Sequence, residues 1–261
     1  MNIQQRIADT LFCLHFVEQR PWSQWSRTDE SCLQHTGHDL EQHYHAERYI
    51  ATEFGLSPST MHHILSKVVD ILHSCVYPEL ISLPALMFNR TTAHGPEEHH
   101  KLVVDSTSIA VPQSDDSQQR KAYFHSKNAT NYAFQLQIAC DFNHRIVHVP
   151  ECYRGSVHDI TILRESCLLE HVNDSVQIIA DKGYVGEDYV VTTRKKLHGR
   201  ELTDEDKAFN RVINSARAAV ENINQRLKTY AILGGMYRGA IDDFDKITKN
   251  EQVVCALCNL N

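Results

Sequence analysis

The stretch that most constrains the fold is "KLVVDSTSIAVP", residues 101–112. Val103, Val104, Ile109 and Val111 have the β-branched character of a strand in the core of a sheet. Asp105 breaks that pattern. An unpaired carboxylate withdrawn from water costs several kcal/mol, so a fold that buries this strand must bring a compensating group to Asp105.

The residues ahead of the strand read as helical. "YHAERYIATEFGLSPSTMHHILSKVVDILH" holds two helical segments around a glycine turn, with Ser57 as an N-cap and Pro58 at the first helical position. Met61, Ile64, Leu65, Val68 and Leu72 then form an apolar stripe at helical spacing. Residues 44–73 fit a helix-turn-helix whose recognition face would carry His62, His63, Ser66 and Lys67, and fit an ordinary αα-hairpin equally well. The polar "TTAHGPEEHHK" (91–101) marks a boundary, with a helical region over 1–95 and a second domain over 101–261.

In the second domain the pattern changes to strands, expected over 102–111, 131–143, 145–153 and 175–186. The second and third form a hairpin that turns near Asn143. A helix over 156–172 separates the third strand from the fourth. A long helix starts at Thr203, where Asp206 completes a capping box. Its stripe is Phe209, Val212, Ile213, Ala216, Val220, Ile223 and Leu227. The order β-β-β-α-β-α predicts an α/β domain with a ribonuclease H-like mixed sheet.

Four acids stand where packing gives them no role. Asp105 lies in the first strand, Asp159 starts the first helix of the domain in "GSVHD", and Asp181 closes the fourth strand in "IIADKGY". Glu221 follows the apolar Val220 on the long helix. In a ribonuclease H-like sheet the first and fourth strands are neighbours, so Asp105 and Asp181 project toward one point. Asp159 and Glu221 can approach it from the flanking helices. Clustered carboxylates repel one another unless a cation lies between them. Oxygen-only ligation favours Mg²⁺ or Mn²⁺ over zinc, and two such ions about 4 Å apart support phosphodiester cleavage. Arg217, Glu221, Asn224 and Lys228 share one helical face, which suits a phosphate backbone and also a plain solvated face.

Charge refines this picture. The net charge is −7, against a generic polyanion binder, yet residues 182–238 hold 11 basic and 7 acidic residues. DNA contact is expected there, from Arg217, Arg226 and Lys228. No run approaches the roughly 18 apolar residues of a membrane span, and neither a basic start nor a long apolar run marks a leader peptide. The 8 cysteines are then expected as reduced thiols of an intracellular protein. Cys255 and Cys258, three apart on an apolar helix, read as core and less as a zinc pair. The histidines of "HGPEEHH" (94–100) read as a polar loop. "RKK" (194–196) suits a solvated loop, a phosphate contact or a nuclear localisation element. The absence of a G-x-x-x-x-G-K-[ST] run argues against an NTP-driven motor.

"VDST", "GSVHD", "ADKGY" and "LTDEDKAFNRVINSARAAVENINQRLK", in that order, resemble the DDE endonuclease domain of PIF/Harbinger-type transposases and their domesticated relatives. The closing "NEQVVCALCNLN" is similar to that family's last helix, and "FGLSPSTMHHIL" to its helix-turn-helix. The likeness runs over about residues 45–261. It implies a divalent-metal nuclease that cuts DNA at transposon terminal repeats. Asp105, Asp181 and Glu221 would be its triad, and Asp159 a rival for second place; all four are carried as catalytic metal ligands. It further implies a Myb-like DNA-binding partner, a homo-oligomer and a nuclear location. One departure is the apolar "SIAVPQ" after the first motif, where relatives often carry His or basic residues. The alternative is a domesticated adaptor that binds DNA or protein without cleaving.

Overall fold

The computed structural model describes residues 47–83, 100–128, 130–171, 177–196 and 201–260. A mixed sheet organises them. β1 (His100–Ala110) runs antiparallel to β2 (Ala133–Cys140), with Val103 opposite Cys140 and Ala110 opposite Ala133. β3 (Ile146–His148) and β4 (Tyr153–Arg154) both pair antiparallel to β2. On the other side of β1, β5 (Gln177–Ile179) lies parallel to it, and β6 (Val190–Val191) parallel to β5. The order β3-β2-β1-β5-β6 makes this the ribonuclease H-like mixed sheet expected from the sequence.

Both faces are covered, and the period of two along each strand sorts side chains between them. Val103, Ile109, Phe134, Leu136 and Ile138 face a core shared with α6 (Asp204–Thr229) and α8 (Phe244–Cys258), which contribute Ile213, Val220, Leu227, Ile247 and Val254. Leu102, Val104, Ala139 and Ile178 face the opposite layer, with Leu163 of α5 (Asp159–Glu165) and Leu168. Between α6 and α8 lies the short α7 (Ala231–Gly234). The capping box of α6 forms as its sequence predicts: Thr203 Oγ1 accepts the Asp206 amide at 3.0 Å, and the Asp206 carboxylate accepts the Thr203 amide.

Several boundaries move, each for a local reason. The 145–153 strand divides into β3 and β4 around Pro150, which cannot donate to a ladder. The helix expected over 156–172 stops at Glu165. There Ser166 Oγ donates to the Leu163 carbonyl, Cys167 takes a positive φ of 58°, and a 3₁₀ turn follows over Leu168–His171. The strand placed over 175–186 pairs only over Gln177–Ile179. The sequence reading also passed over α4 (Ser117–Tyr123), between β1 and β2, capped by Asp116 through the amides of Gln118 and Gln119.

Ahead of the sheet, α1 (Glu47–Glu53) and α2 (Pro58–Cys75) join through Gly55 at φ +64°, a region open to a residue without Cβ. Ser57 caps α2, accepting the Thr60 amide at 3.1 Å. Met61 and Ala51 bury together and hold the pair, while His62 and His63 are exposed. The far end of α2 joins the sheet domain. Asp70 pairs with Lys249 of α8 at 3.0 Å, His73 Nε2 lies 2.7 Å from Gln252 Oε1, and Val76, Leu80 and Ile81 enter the sheet's core through α3 (Tyr77–Leu80). The helical region thus packs into the sheet domain from Asp70 onward. The boundary segment 91–99 and most of "HGPEEHH" lie outside the described residues; His100 and Lys101 open β1. Cys255 and Cys258 are both buried in the core face of α8. No helix among the described residues is long and apolar enough to cross a membrane.

Candidate active site

Asp105 sits on the side of β1 that faces α6, two residues past Val103 and four before Ile109 of the same core. Asn224 of α6 donates from Nδ2 to its Oδ2 at 3.0 Å. Val103 pairs with Ile179 of β5, and continuing this parallel register by two residues brings Asp105 level with Asp181 on the same face. Asp181 is held by the turn that follows β5: it caps the 3₁₀ segment Lys182–Tyr184 and accepts the Gly183 amide.

Asp159 opens α5, where a carboxylate is favoured by the helix dipole. Two glutamines of β2 fix it. Gln135 donates to its Oδ1, and Gln137 donates to its backbone carbonyl at 3.2 Å. Gln137 also donates to the Tyr184 hydroxyl at 3.0 Å, and that hydroxyl lies 2.7 Å from Ser106 Oγ. Tyr184 is wholly buried. This chain ties β1, β2, α5 and the turn after β5 together beneath the acids.

Gly183 shows how close the acids come. A Cβ at this residue would lie 2.7 Å from Asp159 Oδ2 and 2.9 Å from Asp181 Oδ1. Both carboxylates therefore reach the same small volume, which a side chain at 183 would fill. The electrostatics agree. Burial pushes the Asp105 carboxyl up to about 6; Arg217 and the Ser106 amide pull it down, and the charges of Asp181 and Asp159 push it up further. Asp159 and Asp181 thus meet at Gly183, and Asp105 lies within reach of both charges.

Glu221 is exposed. Its side chain is 55% exposed and pairs with Arg217 at 3.5 Å, one turn along the α6 face that carries Asn224. Lys228, which the spacing assigns to a DNA phosphate, is spent elsewhere. Its ammonium donates to the carbonyls of Ser108 and, at 2.9 Å, Leu233, and burial lowers it to about 8. It ties the end of β1 to α7. Arg226 lies two residues past Asn224, about 200° around the helix from the acid face. In the "RKK" run, Arg194 stacks over Phe209 at 4.3 Å and pairs with Asp206 at 2.9 Å, so it braces the start of α6.

Asp159 and Asp181 present carboxylate oxygens to one point, the donor type a hard divalent cation takes. Beside the acids, Gln135 Oε1, Gln137 Oε1 and Asn224 Oδ1 are buried without a hydrogen-bond partner, acceptors that an ion and its water could engage. Among the described residues, no group of three or more His, Cys, Asp or Glu side chains is placed to hold a metal ion. The sequence reading missed Gln135, Gln137, Gly183 and Tyr184. "AFQLQIAC" carried the same signal as Asp105, polar residues at period two inside an apolar strand.

The ribonuclease H-like mixed sheet defines the class of fold. Residues 104–259 match the family model of the DDE superfamily endonuclease, and the chain belongs to that family. It is also similar to two proteins named as transposases. One is for insertion sequence element IS702 of Microchaete diplosiphon, 28% identical over 199 residues, which are 75% of this chain and 68% of that protein. The other is for IS112 of Streptomyces albus G, 27% identical over 187 residues, 71% of this chain and 64% of that protein. The chain spans about two thirds of the length of these relatives. No solved structure matches it.

Proposed function

We propose that the chain is a DNA endonuclease of the transposase type, acting on phosphodiester bonds at the ends of a mobile element with Mg²⁺ or Mn²⁺. The observation that carries this is the shared approach of Asp159 and Asp181 over Gly183, level with the half-buried Asp105. In this reading Asp105, Asp159 and Asp181 hold the metal, and Glu221 joins them by a rotamer change from its exposed position. The metal would supply activated water, or an activated 3′-hydroxyl, and charge stabilisation at the leaving oxygen. The chain's own part is positioning. Asn224 orients Asp105, Gln135 orients Asp159, and the Gly183 amide orients Asp181, as outer partners orient metal ligands generally. Arg217, beside the acids, is the phosphate contact of this face.

Purified protein with supercoiled plasmid and then with end-bearing DNA is the test. Nicking should require Mg²⁺ or Mn²⁺ and should vanish in Asp105→Ala and in Glu221→Ala; nicking that survives both rules the site out. The second reading, an adaptor that binds DNA or protein without cleavage, draws on the outward Glu221. Such an adaptor would leave the plasmid intact with either metal present and bind DNA equally well as Asp105→Ala.

The finer assignment to the PIF/Harbinger type, with a Myb-like DNA-binding partner, a homo-oligomer and action in the nucleus, rests on the motif likeness. Cleavage of terminal-repeat DNA that needs an added Myb-like protein would support it, and full cleavage by the chain alone would count against that partner.

A further inference from the structure

The segment between β1 and β2 gathers basic and aromatic residues on one exposed stretch. Residues 117–132, "SQQRKAYFHSKNATNY", hold Arg120, Lys121 and Lys127 and no acid, in a protein whose net charge is −7. Asp115 and Asp116 lie at the far end of α4, where Asp116 is occupied as the helix cap. Arg120 turns back to the carbonyls of Ser114 and Asp115, while Lys121 and Lys127 are exposed. Phe124, midway between the two lysines in sequence, is 50% exposed, although Tyr123 beside it is buried and donates to the Ile241 carbonyl. Phe124 meets Tyr132 edge-on, with ring centroids 6.4 Å apart, and the two residues pair as an isolated antiparallel bridge.

The backbone holds this segment in shape. The His125 amide donates to the Asn131 carbonyl at 2.8 Å, the Asn128 amide to the His125 carbonyl at 3.0 Å, and the Asn131 amide to the Asn128 carbonyl at 2.9 Å. The segment is also seated beside Asp159. Asn128 Nδ2 donates to Ser108 Oγ at 3.0 Å, and Ser108 stands opposite Gln135, the residue that donates to Asp159. The Ser156 amide, three residues before Asp159, donates to the Ala122 carbonyl at 3.1 Å. At Gly155 a Cβ would lie 2.6 Å from the Tyr123 carbonyl oxygen and 3.1 Å from His125 Cβ. The loop that delivers Asp159 therefore packs directly against residues 122–125.

We propose that residues 117–132 form a DNA-binding surface, on which Lys121 and Lys127 contact phosphates and Phe124 stacks on an unpaired base. Charge complementarity argues for this occupant: two exposed ammonium groups on an acid-free stretch of an acidic chain suit a polyanion. An exposed ring flanked by cations is the platform on which single-stranded bases stack. A loop already ordered by its own hydrogen bonds loses little freedom on binding. A strand bound here lies next to the loop that carries Asp159. That consequence rests on the nuclease reading given above, and the surface is additional to the contacts expected over 182–238.

The test measures binding without cleavage. The full chain is titrated into a labelled oligothymidylate in EDTA, over a series of KCl concentrations, and followed by fluorescence anisotropy. Lys121→Gln and Lys127→Gln should each flatten the dependence of log K on log[KCl] by about 0.7, the share of one phosphate on a single strand. Phe124→Ala should weaken binding about tenfold, and Phe124→Trp should keep it. Unchanged slopes in both lysine variants, or unchanged affinity in Phe124→Ala, overturn the proposal. The lysine slopes stand even where Phe124→Ala folds poorly. Light scattering on the same proteins tests a second copy of the chain as occupant: a Phe124→Ala that changes oligomeric state and keeps its DNA affinity assigns the ring to that contact and overturns the proposal as well. Plasmid nicking in Mg²⁺ separates this surface from the nuclease reading. Asp105-dependent nicking by a chain whose three variants all bind DNA as wild type removes the surface alone. The expected binding losses in a chain that never nicks uphold the surface and remove the nuclease reading.

Discussion

Asp105, half-buried, and Glu251, wholly buried, are carboxyl groups in different surroundings. Asp105 lies on the α6 side of β1 with an asparagine amide on one oxygen and the charges of Arg217, Asp181 and Asp159 acting on it. Glu251, on α8, is entirely enclosed. Its Oε2 accepts the Cys152 thiol at 2.7 Å, and its Oε1 has no partner at all. Burial pushes Glu251 up to about 8, against the smaller pull of the Cys152 hydrogen bond and of Lys228, so at neutral pH it is largely the uncharged acid. Asp105, raised to about 6, is ionised at the same pH. The difference teaches that a buried acid does not mark a site by its burial. Company separates the two: the charges of Arg217, Asp181 and Asp159 act on Asp105, while full burial leaves Glu251 largely uncharged within the core.

Substitutions can break or sharpen this contrast. The largest effect is expected from Asp105→Asn, which should abolish nicking and leave the melting temperature at pH 7.5 unchanged or higher, because the ionised carboxylate it removes is the costly form. The sign follows from the raised carboxyl: its stabilising share is full below 3.8 and lost as pH passes about 6. Gly183→Ala comes next. Its methyl would push Asp159 and Asp181 apart, and an ångström of misplacement costs about 10²-fold in rate; the nicking rate in a protein with an unchanged circular-dichroism spectrum checks this. Asn224→Ala, removing the 3.0 Å bond to Asp105, should lower Mn²⁺ affinity or nicking about 10–100-fold.

Glu251→Gln should do the reverse of Asp105→Asn on function, sparing nicking. Wild-type stability should fall between about 4.5 and about 8 as the enclosed acid is forced to ionise, and level off above that. The glutamine variant should lack this slope and be the more stable protein at pH 9, by on the order of 1–3 kcal/mol, read from thermal melts across that range. If Glu251→Gln instead abolishes cleavage while Asp105→Asn spares it, the contrast is inverted. The smallest effect is Thr203→Ala, which removes the α6 cap. A loss of about 1 kcal/mol in chemical denaturation, with nicking kept, would separate support of the helix from its chemistry.

Much of this was legible without coordinates, because it is written in local rules. The Ser57 and Thr203 caps, the glycine turn before α2 and the stripe of α6 all follow from neighbours three or four residues apart. Asp105 announced itself as a charge in a β-branched strand. Glu251 did not, although it takes a core position four residues from both Ile247 and Cys255 on α8. Its neighbours Asn250 and Gln252 disguised it as part of a polar run. The two glutamines of β2 were passed over for a similar reason, since an uncharged polar residue raises less alarm in a strand.

The sequence by itself determined the class of sheet and the long capped helix, since periodicity and capping depend on residues close in the chain. Tertiary structure alone decided which acids meet. The parallel register of β5 on β1 sets Asp181 level with Asp105. The absent side chain of Gly183 admits Asp159. The packing of α6 turns Asn224 inward to Asp105, sends Lys228 to backbone carbonyls, and leaves Glu221 in the hands of Arg217. Those choices hang on how one element crosses another. Crossing is fixed by side-chain volumes distributed over the whole core, which no local window of sequence contains.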